Sequence, residues 1–140
     1  MFDHEKLKAY RHSLRFVHWV GPLLESVTKR YAAKEQLDRA STSVPLNIAE
    51  GNGKRSHRDR CRYLDIARGS AVECAACLDV LAARGAIAGR QASEGKEILV
   101  AVVSLVSGLI AYFSPDEGTN VREDQASYGN AVPEEFLENE

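Results

Sequence analysis

Basic side chains are concentrated in one short stretch near the middle of the sequence. Positions 54 to 68 hold six lysines and arginines against two acidic residues, Asp59 and Asp65. Because Lys and Arg neutralise backbone phosphates, such a stretch predicts a surface that contacts nucleic acid without reading its sequence. The alternative is a solvated helix face on which neighbouring charges pair. The predicted nucleic-acid contacts are Lys54, Arg55, Arg58, Arg60, Arg62 and Arg68.

The cysteines and histidines have the side chains for metal or redox chemistry, but their spacing argues against both. Cys74 and Cys77 form a C-x-x-C pair in the middle of a predicted helix, and Cys61 is thirteen residues away. Redox pairs of this kind open a helix that follows a strand, and zinc sites usually need a second pair. We therefore expect structural thiols and no metal site. The histidines, which form no ligand cluster, are His4, His12, His18 and His57.

The loop at 51–56, which reads Gly-Asn-Gly-Lys-Arg-Ser, resembles a nucleotide-binding loop only superficially. A P-loop needs a glycine where Ile48 stands and a serine or threonine where Arg55 stands. Backbone amides at the start of the following helix still favour an isolated phosphate. Since no nucleophile–base pair or metal set accompanies the loop, the sequence predicts a protein that is not an enzyme and has no cofactor.

Two glutamates lie in apolar surroundings near the predicted junction of the second and third helices. Glu50 ends one helix, and Glu73 lies beside the apolar seam of the next. A buried carboxylate needs hydrogen bonds or a partner charge, so we expect a structural polar network and predict that Glu73→Ala lowers the melting temperature. An acid/base pair is the other interpretation. The residues assigned to the predicted network are Arg39, Asn47, Glu50, Gly51, Ser70 and Glu73.

Apolar residues at steps of three and four predict four helices, at about 4–28, 34–51, 57–84 and 88–113. Pro45 lies inside the second helix and is expected to kink it. Ser56 is the expected N-cap of the third helix, and Gly85 its C-terminal stop. The seam of the third helix, which predicts a bundle, consists of Leu64, Ala67, Ala71, Cys74, Leu78 and Leu81.

The fourth helix is apolar on nearly all sides, which is more surface than a single four-helix bundle covers. We therefore expect the chain to form a homo-oligomer. Residues 98–115 carry no charge over 18 positions, the lower limit for a membrane span, but serines and a glycine interrupt them, so a buried bundle helix is favoured. The N-terminus lacks the pattern of a signal peptide and the cysteine number is odd. Both features predict a cytoplasmic protein outside the membrane.

The net charge of −2 conceals two segments of opposite charge. Residues 1–113 contain 17 basic and 12 acidic residues, a balance of +5, whereas residues 114–140 contain 1 and 8, a balance of −7. The sequence thus predicts a basic bundle (1–113) and an acidic, flexible tail (114–140). Val132, Phe136 and Leu137 form the one apolar patch of the tail, which is a candidate docking motif. The tail is either a recognition segment for a partner protein or a mask over the basic surface.

Two long motifs resemble hallmarks of one bacterial family. Residues 39–51, RASTSVPLNIAEG, match the pattern R-A-x-x-S-x-P-x-N-I-A-E-G, and residues 63–73, YLDIARGSAVE, contain the second pattern around I-A-R-G-S. The chain from about Leu7 to Phe113 therefore resembles the bacterial four-helix bundle proteins, whose members include proteins encoded in intervening sequences of large-subunit rRNA genes.

The resemblance implies an antiparallel up-and-down four-helix bundle that assembles as a homopentamer. It also relates the chain to the accessory protein of diversity-generating retroelements, a basic pentamer that binds a reverse transcriptase and nucleic acid. The partners it implies are further copies of the chain, and RNA, DNA or a nucleic-acid-processing protein. The other hypothesis is a protein–protein adaptor that uses the tail and binds no nucleic acid.

Overall fold

Four helices pack side by side in the computed structural model, which describes residues 1–114 and 132–139. Each helix contacts the one before and the one after it, and the first also contacts the last. Because the connections are only four or five residues long, neighbouring helices run antiparallel. The prediction of an all-α, four-helix protein is confirmed, with no strand among the described residues. The elements are a 3-10 turn (Asp3–Lys6), α1 (Lys8–Ser26), α2 (Ala32–Asn52), α3 (His57–Ala83), α4 (Gly89–Phe113) and a second 3-10 turn (Glu134–Phe136).

The third helix matches its prediction most closely. All six residues of its predicted seam are buried, each with 2% or less of its surface exposed. The hydroxyl of Ser56 accepts a hydrogen bond from the backbone amide of Asp59 at 3.1 Å, as expected of an N-cap. Gly85 adopts a φ of +75°, which a residue with a side chain rarely adopts, and so ends the helix.

The first helix begins later than its periodicity predicts. The sequence pattern indicates a start near residue 4, but a 3-10 turn forms there, and Leu7 is extended and buried. Leu7 forms an antiparallel bridge with Leu137, and the backbone amide of Glu138 donates to the carbonyl of Lys6 at 2.9 Å. The helix is displaced because a segment more than a hundred residues away pairs with its start, which local periodicity cannot reveal.

The C-terminal segment, residues 132–139, lies against the bundle. Phe136 and Leu137 pack on the core, together with Val132. The apolar patch of the predicted tail is therefore docked on the chain's own helices, and this part of the tail is not the free segment that was expected. The rest of the predicted tail after Ser114, residues 115–131 and 140, lies outside the described residues.

The fourth helix buries one side and leaves another partly open. Leu99, Val102, Val106, Leu109 and Phe113 are buried among the other helices. By length and composition alone α4 is the single described helix that could cross a membrane. In the bundle 28% of its most apolar 18-residue window is buried, and the side opposite the buried row holds Val100 at 68% exposure.

Candidate nucleic-acid interface

The basic residues lie where the end of α2 meets the start of α3. Gly51 makes this junction possible, because a Cβ there would lie 3.0 Å from the Cβ of Tyr63 and 3.2 Å from the carbonyl oxygen of Arg60. The backbone amide of Gly53 donates to Ala49 and Glu50, which closes α2, and the chain turns directly into the N-cap Ser56. The loop thus presents its cations beside the amides that open α3.

Three arginines of the cluster extend into solvent. Arg55, Arg58 and Arg62 are exposed, and none of them forms a hydrogen bond or an ion pair with a described residue. Arg58 and Arg62 are one helical turn apart on α3, so their side chains are neighbours on one face. The guanidinium of Arg62 also lies 5.3 Å from the ring centre of Tyr63. We call these three residues the arginine face.

Lys54 borders the arginine face but is already paired. Its ammonium lies 3.2 Å from a carboxylate oxygen of Glu50 and 5.0 Å from the ring centre of Tyr63. The hydrogen bond with Glu50 raises the pKa of Lys54, so the side chain is charged at all physiological pH values. A surface pair of this kind contributes little to stability and is easily exchanged for a phosphate.

Arg60, one of the predicted nucleic-acid contacts, has partners within the bundle. Its Nε donates to the carbonyl of Lys54 at 2.8 Å, and its guanidinium lies 4.9 Å from the ring centre of Phe113. Burial lowers the pKa of Arg60, since the charge has lost part of its water shell. The side chain thus ties the loop before α3 to the end of α4.

Arg68 is separated from the other cations. It lies almost two turns beyond Arg62, and its Nε donates to the hydroxyl of Ser107 on α4 at 2.9 Å. The structure therefore divides the six predicted contacts into three groups. Three residues form the arginine face, and Lys54 borders it. Arg60 is half-buried against the end of α4, and Arg68 is exposed but hydrogen-bonded to Ser107.

The predicted polar network between α2 and α3 exists in part, and its centre is Ser43. The hydroxyls of Ser43 and Ser70 are hydrogen-bonded at 2.9 Å. The side-chain amide of Asn47 donates to the carbonyl of Ser43 at 2.8 Å and to its hydroxyl at 2.9 Å. Sequence reasoning missed Ser43, although this serine is one of the fixed positions of the first motif.

The three charged residues assigned to that network lie outside it, which corrects the prediction. The side chain of Glu50 is 56% exposed and pairs with Lys54. Glu73 is half-buried, Arg39 is exposed, and neither forms a hydrogen bond or ion pair with a described residue. A seam of serine and asparagine joins α2 to α3 because neutral hydroxyl and amide groups cost less to bury than carboxylates.

The thiols lie in environments that suppress their reactivity. Burial raises the pKa of Cys74 to about 12 and also raises the pKa of Cys77. Cys61 is half-buried, and its pKa too is raised by burial. A protonated thiol is a poor nucleophile and a poor metal ligand. Within residues 1–114 and 132–139 no three histidine, cysteine or acidic side chains come close enough to hold a metal ion.

The outer side of α3 carries a second apolar stripe, which continues beyond the arginine face. Its residues recur at steps of three and four like the core seam, but all are exposed except the half-buried Glu73. Ile66 and Val80 are each 46% exposed. We call this the outer stripe; it consists of Ile66, Gly69, Glu73, Ala76, Val80 and Ala83.

An apolar groove between α3 and α4 adjoins the outer stripe. Its cavity has a volume of about 370 Å³ and is lined by Val72, Ala75, Val100 and Val103, among others. Val72 is 52% and Val100 68% exposed. Together the stripe and the groove form a large apolar surface, of a kind that monomeric soluble proteins rarely leave open.

Comparisons with known proteins found one matching family model and a similar solved structure. Residues 5–108 match the family model described as 23S rRNA-intervening sequence protein. A crystal structure of a protein of unknown function from the S23 ribosomal protein family of Bacteroides thetaiotaomicron is similar, with a TM-score of 0.69 and 24% sequence identity. The similarity covers 73% of this chain and 97% of that one, and at this identity it shows the fold alone. No curated protein matches the chain.

Proposed function

The chain belongs to the family of 23S rRNA-intervening sequence proteins, and from that premise we propose that it is a non-catalytic, self-assembling bundle that holds nucleic acid by its phosphates. The observation that carries the proposal is the arginine face. Arg55, Arg58 and Arg62 are exposed beside the start of α3, without a carboxylate partner among the described residues. Guanidinium groups bind phosphate oxygens with two parallel hydrogen bonds, so three such groups suit a phosphate backbone.

The chemistry of the rest of the described chain supports a binding role over a catalytic one. The thiols have raised pKa values, so they are poorly suited to act as nucleophiles. The carboxylates that sequence analysis selected, Glu50 and Glu73, do not face one another across a common hydrogen-bond network. Contacts with phosphate need neither a nucleophile nor a carboxylate pair, because they act by charge and geometry alone.

Self-assembly is part of the proposal, and the outer stripe with the adjoining α3–α4 groove is the surface proposed for it. Small residues at Gly69, Ala76 and Ala83 allow a second helix to approach closely, and the spacing of three and four is that of a helix-packing seam. The number of copies, five, follows the resemblance of the two sequence motifs. In such an assembly each copy contributes one arginine face, and avidity multiplies weak phosphate contacts.

A protein–protein adaptor that uses the tail is the second candidate. Its apolar docking residues, Phe136 and Leu137 with Val132, already pack on the bundle of the same chain. This packing favours the nucleic-acid proposal over the adaptor. A cytoplasmic location outside the membrane accompanies the proposal, since a phosphate-binding surface needs access to nucleic acid.

The proposal is tested by neutralising the arginine face in the full-length chain. The variant Arg58→Gln/Arg62→Gln is compared with Arg84→Gln/Arg90→Gln, which removes the same charge near the opposite end of the bundle, roughly 40 Å along α3. Binding of a labelled single-stranded RNA and a labelled DNA duplex is measured between about 50 and 200 mM salt.

We expect the first variant to lose about tenfold or more in affinity at low salt. Its affinity should also depend less on salt, with the negative slope of log affinity against log salt reduced in magnitude by roughly 1.5. The control variant is expected to stay within about twofold of wild type. Equal losses in the two variants, or no binding by the wild-type chain at the lowest salt, would contradict the proposal.

A further inference from the structure

The C-terminal segment occupies a groove between the start of α1 and the end of α4. Its 3-10 turn, Glu134–Phe136, directs the ring of Phe136 onto α4, and the next residue pairs with Leu7. One further hydrogen bond runs from the backbone amide of Glu138 to the carbonyl of Lys6. The segment therefore combines one aromatic anchor with a short stretch of β-type pairing, two elements by which protein grooves recognise extended peptides.

The anchor pocket exists because position 108 is a glycine. A Cβ built there would lie 2.6 Å from Cε1 and 3.0 Å from Cζ of the Phe136 ring. The ring consequently contacts the helix backbone of α4 itself, in a notch that a larger side chain would fill. Aromatic rings in such pockets dominate the energy of peptide interfaces, since they bury a large apolar surface with few rotatable bonds.

The groove beside the anchor contains both cations and a carboxylate, whereas the charged side chains of the segment are all acidic. A cavity of about 170 Å³ beside the segment is lined by Lys6, Asn52, Arg60, Val132 and Leu137, together with Asp3 and Leu7. The segment itself carries Glu134, Glu135 and Glu138 and no cation. Because Lys6 pairs with Asp3 inside the groove at 3.9 Å, recognition of the segment rests on the shape of the notch at Gly108.

We propose that this groove is a peptide-binding site for an extended segment of the pattern Pro-x-x-Phe-Leu, and that the chain's own residues 132–139 are its ligand. Few contacts hold the segment, and they are confined to the Phe136 notch and the pairing with residues 6 and 7. The segment therefore detaches and rebinds without unfolding of the bundle. The site goes beyond the family: the segment lies outside residues 5–108, which the family model covers. It is also independent of the proposed binding of nucleic acid.

The test uses the full-length chain with its anchor removed, Phe136→Ala/Leu137→Ala, which leaves the groove itself intact. The probe is a fluorescein-labelled synthetic peptide of residues 130–140, and fluorescence anisotropy reports its binding. We expect saturable binding to the double variant. The wild-type chain should need about tenfold or more peptide, because its own segment competes at an effective concentration in the millimolar range.

Three further comparisons establish that binding occurs in the Gly108 notch. Gly108→Leu, added to the double variant, fills the notch and should abolish binding. Gly89→Leu on the same helix should leave binding unchanged, since a Cβ there meets no atom within 4 Å. A peptide with alanine in place of its phenylalanine should also fail to bind, and this comparison does not alter the receptor.

Each contrary result overturns the proposal. Absence of binding to the double variant at about millimolar peptide would show that the groove does not hold the segment as a separate ligand. If the peptide bound the wild-type chain and the double variant with equal affinity, it would bind outside the groove that the segment occupies. If circular dichroism shows that the double variant is unfolded, the segment is part of the core and not a ligand.

Discussion

At residue 51 the backbone of α2 comes so close to α3 that the two helices leave almost no room for a side chain. The close approach involves the backbone carbonyl of Arg60 as well as the Cβ of Tyr63, so neither neighbour moves aside by a simple rotamer change. The glycine of the first sequence motif therefore has a packing role, and it fixes where the arginine face begins.

We predict that Gly51→Ala destabilises the protein. Overpacking of this kind costs about 1–3 kcal/mol, which outweighs the gain of about 0.5–1 kcal/mol from replacing a helical glycine. Thermal unfolding should show a melting temperature lower by several degrees. Gly53→Ala is the matched control, because its Cβ would meet nothing closer than 3.5 Å. An equal effect of the two substitutions would refute the packing role.

The polar seam between α2 and α3 depends on Ser43, so we predict an order of stabilities that differs from the one expected from sequence. Ser43→Ala removes the hydrogen bonds to Ser70 and Asn47 and should cost about 1–2 kcal/mol of unfolding free energy. Glu73→Ala should change it by about 0.5 kcal/mol or less, since this carboxylate has no hydrogen bond to a described residue. Urea unfolding measures both, and a larger loss for Glu73→Ala would restore the buried-carboxylate hypothesis.

At the scale of the elements, helix α3 was predictable because its signals are local. Its N-cap, its seam and its terminal glycine all act within a few residues of the positions they specify. The start of α1 was not predictable in the same way. There the pairing of Leu7 with Leu137 replaces the helix that the pattern predicts. No sequence signal near residue 7 indicates a partner 130 positions away.

We predict that Ser56→Ala weakens the start of α3. Loss of the hydrogen bond from the Asp59 amide should cost about 1 kcal/mol. Hydrogen exchange should accelerate in the first turn of α3, which carries Arg58. Ser93→Ala, an exposed serine in α4, is the control and should leave stability unchanged. No difference between the two variants would mean that the cap is dispensable.

At the scale of the whole molecule, the bundle leaves an apolar surface on α3 and α4 that its own helices do not cover. Sequence periodicity anticipated surplus apolar surface on α4. The structure adds that α3 contributes the outer stripe and that residues 132–139 cover part of α4 at Gly108. We propose that assembly covers the rest of this surface. The hypothesis that the acidic tail masks the arginine face stays a prediction.

We predict that the wild-type chain of 15.4 kDa assembles into a particle of five copies, near 77 kDa by light scattering coupled to size exclusion. Ala76→Glu places a second carboxylate one helical turn from Glu73 in the outer stripe. It should shift the particle toward smaller species, because two adjacent like charges repel each other and are costly to bury together. His18→Glu is the control at an exposed position of α1, which contributes no residue to the outer stripe or the groove, and it should leave the particle unchanged. A monomeric wild type, or a loss of assembly in both variants, would count against the outer stripe.

The sequence by itself determined what depends on neighbours along the chain: four helices, the cap and stop of α3, the core seam, the concentration of basic residues and the family motifs. Only the tertiary structure decided which of those basic residues have partners on another helix. Arg60 and Arg68 are held by Phe113 and Ser107, which lie 53 and 39 positions further along the chain. The contact of the Phe136 ring with Gly108 is likewise visible only in the tertiary structure. Periodicity reveals which face of a helix is apolar, but partners brought together by folding from distant positions leave no local signal.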